Sequence, residues 1–241
     1  NIIGILSLTN YFNQNVINEL EVHDIISTDA VMNIESLLQY SFVKGTRKNM
    51  NFHSLLKEFA SERLEKNNII KFKKIHSVLL NYYEKVLLSE LKLKTTSDDK
   101  IENNLVQYSY HSKKVDLETH PYRFLAVMWE VMPLRKLASI YVMVEECMAI
   151  LREKIKEKES LEDSSVKLEI IVLFKMLYLI ASYSYKDENY LYSMNCSEEC
   201  LIYAHRIIDE SYLLDLPEKE NIMHLKAIIQ YVYVLSLKLK V

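Results

Sequence analysis

The stretch Ile140-Tyr141-Val142-Met143-Val144-Glu145-Glu146-Cys147-Met148-Ala149-Ile150-Leu151-Arg152-Glu153-Lys154-Ile155 sets the period of the chain. Ile140, Val144, Cys147, Met148, Leu151 and Ile155 recur at i, i+4, i+7, i+8, i+11 and i+15, which winds them into one stripe on a helix. The Glu and Lys cluster between Arg152 and Glu159 is left in water. The same period runs outward, and amphipathic helices are expected near residues 70–91, 100–113, 122–132, 134–158, 166–186, 190–209 and 218–240. Only two glycines (Gly4, Gly45) and three prolines (Pro121, Pro133, Pro217) punctuate 241 residues. Sandwiches, barrels and doubly wound α/β folds need glycine at turns and close backbone approaches, so an all-α class follows.

One segment departs from that period. Residues 41–44 and 50–53 read as the two strands of a small hairpin, with a turn over 45–49 in which Gly45 and Asn49 tolerate the dihedrals required. Before it, residues 2–8 are apolar and residues 10–20 read as a short helix through Phe12, Val16, Ile17 and Leu20. Asp29 can cap a third helix with Val31, Ile34, Leu37 and Leu38 on one face. After it, Ser54 is expected to cap a helix with Leu55, Leu56, Phe59, Ala60 and Leu64 on one side. Three short helices, a two-stranded wing and a further helix make a winged-helix domain over residues 1–68, ended by Asn67-Asn68.

Residues 69–241 then read as an α-solenoid of helical hairpins. Helix pairs recur loosely at about 45 to 50 residues, from Pro121 to Val166 to Glu218, against ~34 for a tetratricopeptide unit. Ala181 and Ala204 stand where small side chains let paired helices approach, while the fuller tetratricopeptide signature is absent, so a divergent tetratricopeptide-like array is expected. The last helix is apolar nearly all round, through Ile228, Ile229, Tyr231, Val232, Val234, Leu235 and Leu237, and a further element is expected to cover it. Both ends are expected to be cut from something longer, since Asn1 opens inside an apolar pattern and Val241 follows another.

The formal net charge of −3 gives no long-range field for nucleic acid or an anionic membrane. Cys147, Cys196 and Cys200 are odd in number and lack zinc-finger spacing, which suggests reduced thiols and a cytoplasmic setting. No signal peptide is read at the N-terminus, and the most apolar stretch, residues 170–185, is interrupted by Lys175 and expected to be a buried helix.

Asn51-Phe52-His53-Ser54-Leu55-Leu56-Lys57-Glu58-Phe59-Ala60 resembles the Met-His-Asp motif of the signal-transduction ATPases with numerous domains, the family that includes plant resistance proteins, apoptotic scaffolds and bacterial regulators. Phe52 stands for the Met and Ser54 for the Asp, so the motif's acid is absent. Leu37-Leu38-Gln39-Tyr40-Ser41-Phe42-Val43 is similar to the family's segment before the hairpin, and residues 76–83 to the His and paired aromatics that follow; the likeness covers about a third of the chain. The resemblance implies a winged helix that holds the ADP state of an upstream nucleotide-binding domain, with His53 as the nucleotide sensor and ATP or ADP as the cofactor of the parent protein. A His between a strand and a helix N-terminus can donate to a phosphate oxygen that the helix amides also favour. The local alternative is that His53 only caps or packs. This chain has no Gly-x-x-x-x-Gly-Lys-[Ser/Thr] loop, so no phosphate cradle is expected within it.

No catalytic centre and no cofactor are expected in the chain itself. No Cys or Ser sits in a Gly-rich elbow and the seven His are scattered. Cys196, Cys200 and His205 lie close in sequence, but buried free cysteines are commoner than a three-ligand metal site. As a DNA reader the expected recognition helix, residues 29–40, has no Arg or Lys, and only Lys44, Arg47 and Lys48 of the wing could touch phosphate. The expectation is therefore a non-catalytic regulatory segment that senses a ligand or protein on its helical repeats and works on an upstream nucleotide domain in cis, with no membrane contact. The alternatives are a winged-helix transcriptional regulator and a plain helical scaffold.

Overall fold

A computed structural model describes residues 2–9, 11–27, 42–46, 49–93, 96–160, 166–209 and 216–239, which are mostly helical with one two-stranded antiparallel sheet. They divide into two compact units, Asn1–Leu117 and Glu118–Val241.

The first unit contains α1 (Ile2–Leu6), α2 (Gln14–Val22), β1 (Val43–Thr46), β2 (Asn49–Phe52), α3 (Ser54–Asn67), α4 (Ile69–Leu91) and α5 (Asp98–Val115). Asn13 starts α2 by accepting the amides of Asn15 and Val16 at 3.0 and 3.1 Å. The strands pair from Val43 opposite Phe52 to Thr46 opposite Asn49, and Gly45 takes φ 106°, a backbone state that side chains disfavour. Phe12 extends this small sheet by exchanging two backbone hydrogen bonds with Met50, at 2.7 and 2.9 Å. Leu6, Leu8, Phe12, Ile17 and Leu20 are buried, as are Phe72, Ile75, Leu79 and Tyr83 on α4. Asn68 accepts the Lys71 amide and caps α4 immediately after α3 ends. Asn67-Asn68 therefore separates two helices of one compact unit, which continues through α4 and α5.

Two expectations in this unit meet a different outcome. His53, not Ser54, is the residue before α3, and its side chain makes no capping bond. The expected inner face of α3 is only partly covered: Leu56, Ala60 and Leu64 are half-buried, no described residue of α3 is fully buried, and Leu55 and Phe59 are 70% and 64% exposed. Helical spacing gathers apolar side chains onto one face, but it does not provide the surface that covers them. The expected helix carrying Val31, Ile34, Leu37 and Leu38 lies outside the described residues.

The second unit contains α6 (His120–Val131), α7 (Ile140–Ser160), α8 (Lys167–Lys186), α9 (Tyr190–Asp209) and α10 (Leu216–Leu239). Pro121 occupies the first turn of α6, where a missing amide costs nothing. All six residues of the Ile140–Ile155 stripe are buried. Helix α7 begins at Ile140 rather than near 134, because the chain after Pro133 takes another course. There the Tyr183 hydroxyl accepts from the Leu137 amide and donates to the Leu137 carbonyl, so a side chain takes over much of that backbone's hydrogen bonding. Helix α8 packs on α6, α7, α9 and α10 and is buried on most sides.

The link between α8 and α9 is short because the chain turns sharply as α8 ends. Glu188 takes φ 63°, the Asn189 amide donates back to Ser184 at 2.9 Å and the Glu188 amide to Tyr185 at 3.2 Å, a Schellman ending. Asn189 then caps the next helix through the Tyr192 amide. Ala181 and Ala204 are fully buried, and α8 and α9 form an extended antiparallel contact. Two helices, residues 167–186 and 220–239, are long and apolar enough by length and composition to cross a membrane, with mean hydropathy 1.5 and 1.3. The first is 72% buried within the structure, as a core helix is, and the second 28%.

Candidate functional site

In the second unit a polar ladder joins α7 and α9. Glu145, Arg152 and Glu159 stand seven residues apart on α7, and Tyr192, Glu199 and Arg206 stand seven apart on α9. The Tyr192 hydroxyl donates to Glu145, Arg152 forks onto Glu199 with N–O distances of 2.8 and 2.7 Å, and Arg206 pairs with Glu159. Every rung joins residues 47 apart in sequence. A constant offset with both helices advancing by seven requires α7 and α9 to run parallel, with the antiparallel α8 as the connection between them. The same step recurs between α6 and α8, where the Tyr122 hydroxyl donates to Glu169 at 2.8 Å across 47 residues. Tyr141 bonds Asp187 at 3.0 Å across 46.

The charges in the ladder are fixed by their partners. The Glu199 hydrogen bonds, and then the Glu145 and Glu199 charges, hold the Arg152 guanidinium above its usual range. Burial and then the bond to Glu145 push the Tyr192 phenol up, and burial foremost raises Tyr141 to about 12. Below the Arg152 rung, burial lifts the Cys196 thiol to about 12 and the Cys200 thiol further, so neither is a thiolate at neutral pH.

Beside the ladder, α6, α7 and the start of α8 enclose a polar cleft of about 700 Å³. Glu169 lies on its wall, accepting from Tyr122 and Lys158, both at 2.8 Å. Burial opposes its ionisation, but those two donors outweigh it and hold the carboxyl below its usual range. Lys154 donates to the Glu118 carbonyl at 2.8 Å and stands 5.6 Å over the Tyr122 ring. Arg123, Lys154 and Lys158 are matched in the lining by Glu118, Glu157 and Glu169, so the cleft is polar without an excess of either sign.

His53, the residue singled out by the resemblance, is exposed between β2 and α3. Its amide donates to the Phe42 carbonyl at 2.8 Å and its carbonyl accepts from Lys57 at 3.0 Å, which leaves the ring directed by neither bond. Lys44 is exposed on β1, while Arg47 and Lys48 lie outside the described residues. Cys196 and Cys200 are buried, whereas His205 is exposed beside Lys226 at 3.2 Å; the three do not converge on one point, and among the described residues no group of three such side chains is placed to hold a metal.

A polar pair that the sequence reading missed lies in the first unit. His76 and His111 are fully buried with their Nδ1 atoms 2.7 Å apart, and the Tyr83 ring stacks on His111 at 5.6 Å. Both Nε2 atoms and the Tyr83 hydroxyl have no hydrogen-bond partner among the described residues. Burial, then the Lys114 charge, drives His76 down to about 3, and burial foremost drives His111 down as well. Two neutral rings sharing an Nδ1 to Nδ1 bond must be opposite tautomers, one protonated on Nδ1 and the other on Nε2. The signal for His111 was its place on the stripe of Leu105, Tyr108, Ser112 and Val115, an apolar helical face into which a histidine was bound to turn. No family model, no curated protein and no solved structure matches the chain.

Proposed function

We propose that this chain is a non-catalytic regulatory and binding segment of a nucleotide-switch ATPase, in which a winged-helix module over residues 1–68 acts on a nucleotide domain elsewhere in the protein. The observation that carries the reading is His53. Its ring is exposed at the junction of a hairpin and a helix start, with no bond committing it to a local cap. In the ADP state it donates to a phosphate oxygen of the bound nucleotide. The 47-residue register between helix pairs supports the other half of the reading, a tetratricopeptide-like array whose parallel α7 and α9 present a ladder of tyrosine, glutamate and arginine side chains to a protein or ligand.

The test uses the whole reading frame that contains this chain, loaded with a fluorescent ADP analogue. His53→Ala is expected to accelerate ADP release by about tenfold or more, the loss of one charge-assisted hydrogen bond. An unchanged release rate, with folding intact by circular dichroism, defeats the switch assignment.

A further inference from the structure

We infer that the cleft between α1, α3 and the first turn of α4 binds a single-chain amphiphile with a carboxylate head, a ligand of the fatty acid class. The cleft belongs wholly to the first unit and holds about 420 Å³, within the range of small-molecule sites. Ile3 and Ile5 of α1 and Leu56, Phe59, Ala60 and Leu64 of α3 supply its apolar wall. Phe59 is exposed and Leu56, Ala60 and Leu64 are half-buried, so an alkyl chain laid along the wall removes apolar surface that the fold leaves in water. A side chain built on Gly4, which also lines the cleft, meets no atom within 4 Å, so there is room beside α1.

The polar residues are sorted to one end. Leu56, Phe59, Ala60, Arg63, Leu64 and Asn67 follow steps of 3, 1, 3, 1 and 3 residues, which sets them along one face of α3 over about 16 Å. The first two turns of that face are apolar, Arg63 and Asn67 come in the last two, and Lys71 joins them from the first turn of α4. Arg63 and Lys71 are the charged residues of the described lining and both are cations, whereas the polar cleft of the second unit matches its cations with acids. The ion pair described on α3 joins Lys66 to Glu62 instead, and neither Arg63 nor Lys71 is ion-paired among the described residues. A carboxylate answers this end through the Arg63 fork, the Lys71 ammonium and the Asn67 amide, while its chain follows the apolar turns. A neutral or cationic amphiphile leaves both cations unanswered, and a cleft of this size takes one chain rather than the two of a phospholipid.

Isothermal titration calorimetry of dodecanoate, kept below its micellar concentration, into the 241-residue chain tests the inference. Saturable binding of one dodecanoate per chain is expected, weakening about fourfold for each methylene removed from the ligand. Dodecanol is expected to bind about tenfold more weakly, and Arg63→Gln/Lys71→Gln to bind the acid and the alcohol alike, a loss of discrimination that a merely structural role would not produce. Gly4→Leu and Ala60→Phe, which add bulk to the wall, are each expected to abolish binding with an unchanged helical spectrum. No binding of dodecanoate, equal binding of dodecanol by the parent chain, binding undiminished by both wall variants, or retention on phosphatidylglycerol vesicles without uptake of free dodecanoate overturns it. An acidic amphipathic peptide that occupies the cleft and that dodecanoate fails to displace also overturns it.

Discussion

His76 and His111 are fully buried histidines whose chemistry departs far from that of free side chains. Their native pKa values lie below the ordinary histidine value, so the unfolded chain binds protons that the folded one refuses. Stability from this source is full above about pH 7 and falls as the pH drops below about 6.5, by roughly 1.4 kcal/mol per pH unit for each histidine until the native pKa is reached. Urea unfolding with hydrogen exchange on α4 and α5 is expected to show that slope between pH 6.5 and 5, and the His76→Phe/His111→Leu variant to flatten it. The pair also marks where sequence reading stops at this scale. His53 stood out because short-range neighbours surround it, whereas His76 and His111 are 35 residues apart and only the packing of α4 on α5 makes them one group.

At the scale of elements, periodicity identified nearly every helix among the described residues, because each stripe is written locally in the spacing of apolar residues. It failed where the outcome depended on a distant group. Helix α7 starts late because Tyr183, far along the chain, captures the Leu137 backbone, and α3 keeps Leu55 and Phe59 of its apolar face exposed. The small residues expected to permit close approach do lie inside: Ala204 on α9 is fully buried, with α9 packed on α8. Ala204→Leu is therefore expected to lower stability by about 1–3 kcal/mol through overpacking. Ile202→Ala, at a site 63% exposed on the same helix, is expected to change it by less than about 1 kcal/mol. Equilibrium denaturation of the two variants against the parent chain checks both, and equal effects would show that the α8–α9 contact is not the constraint.

For the whole molecule, the sequence carried a loose repeat of about 45 to 50 residues, and the structure narrows it to 47 through rungs that no single helix reveals. The division at Leu117 and Glu118 was not legible, since Pro121 and the charged residues before it mark a helix boundary like several others, and compactness is a property of contacts. Two compact units are expected to give scanning calorimetry with two transitions, or one whose van't Hoff enthalpy is well below the calorimetric value; a single two-state endotherm would contradict that. Tryptophan fluorescence will not see both events. Trp129 is the one tryptophan of the chain, stacked on Tyr178 with ring centroids 6.1 Å apart, and it belongs to the second unit. Light absorbed at 295 nm is thus a spectroscopic tag on one half of the molecule, and a fluorescence melting curve is blind to the fate of residues 1–117.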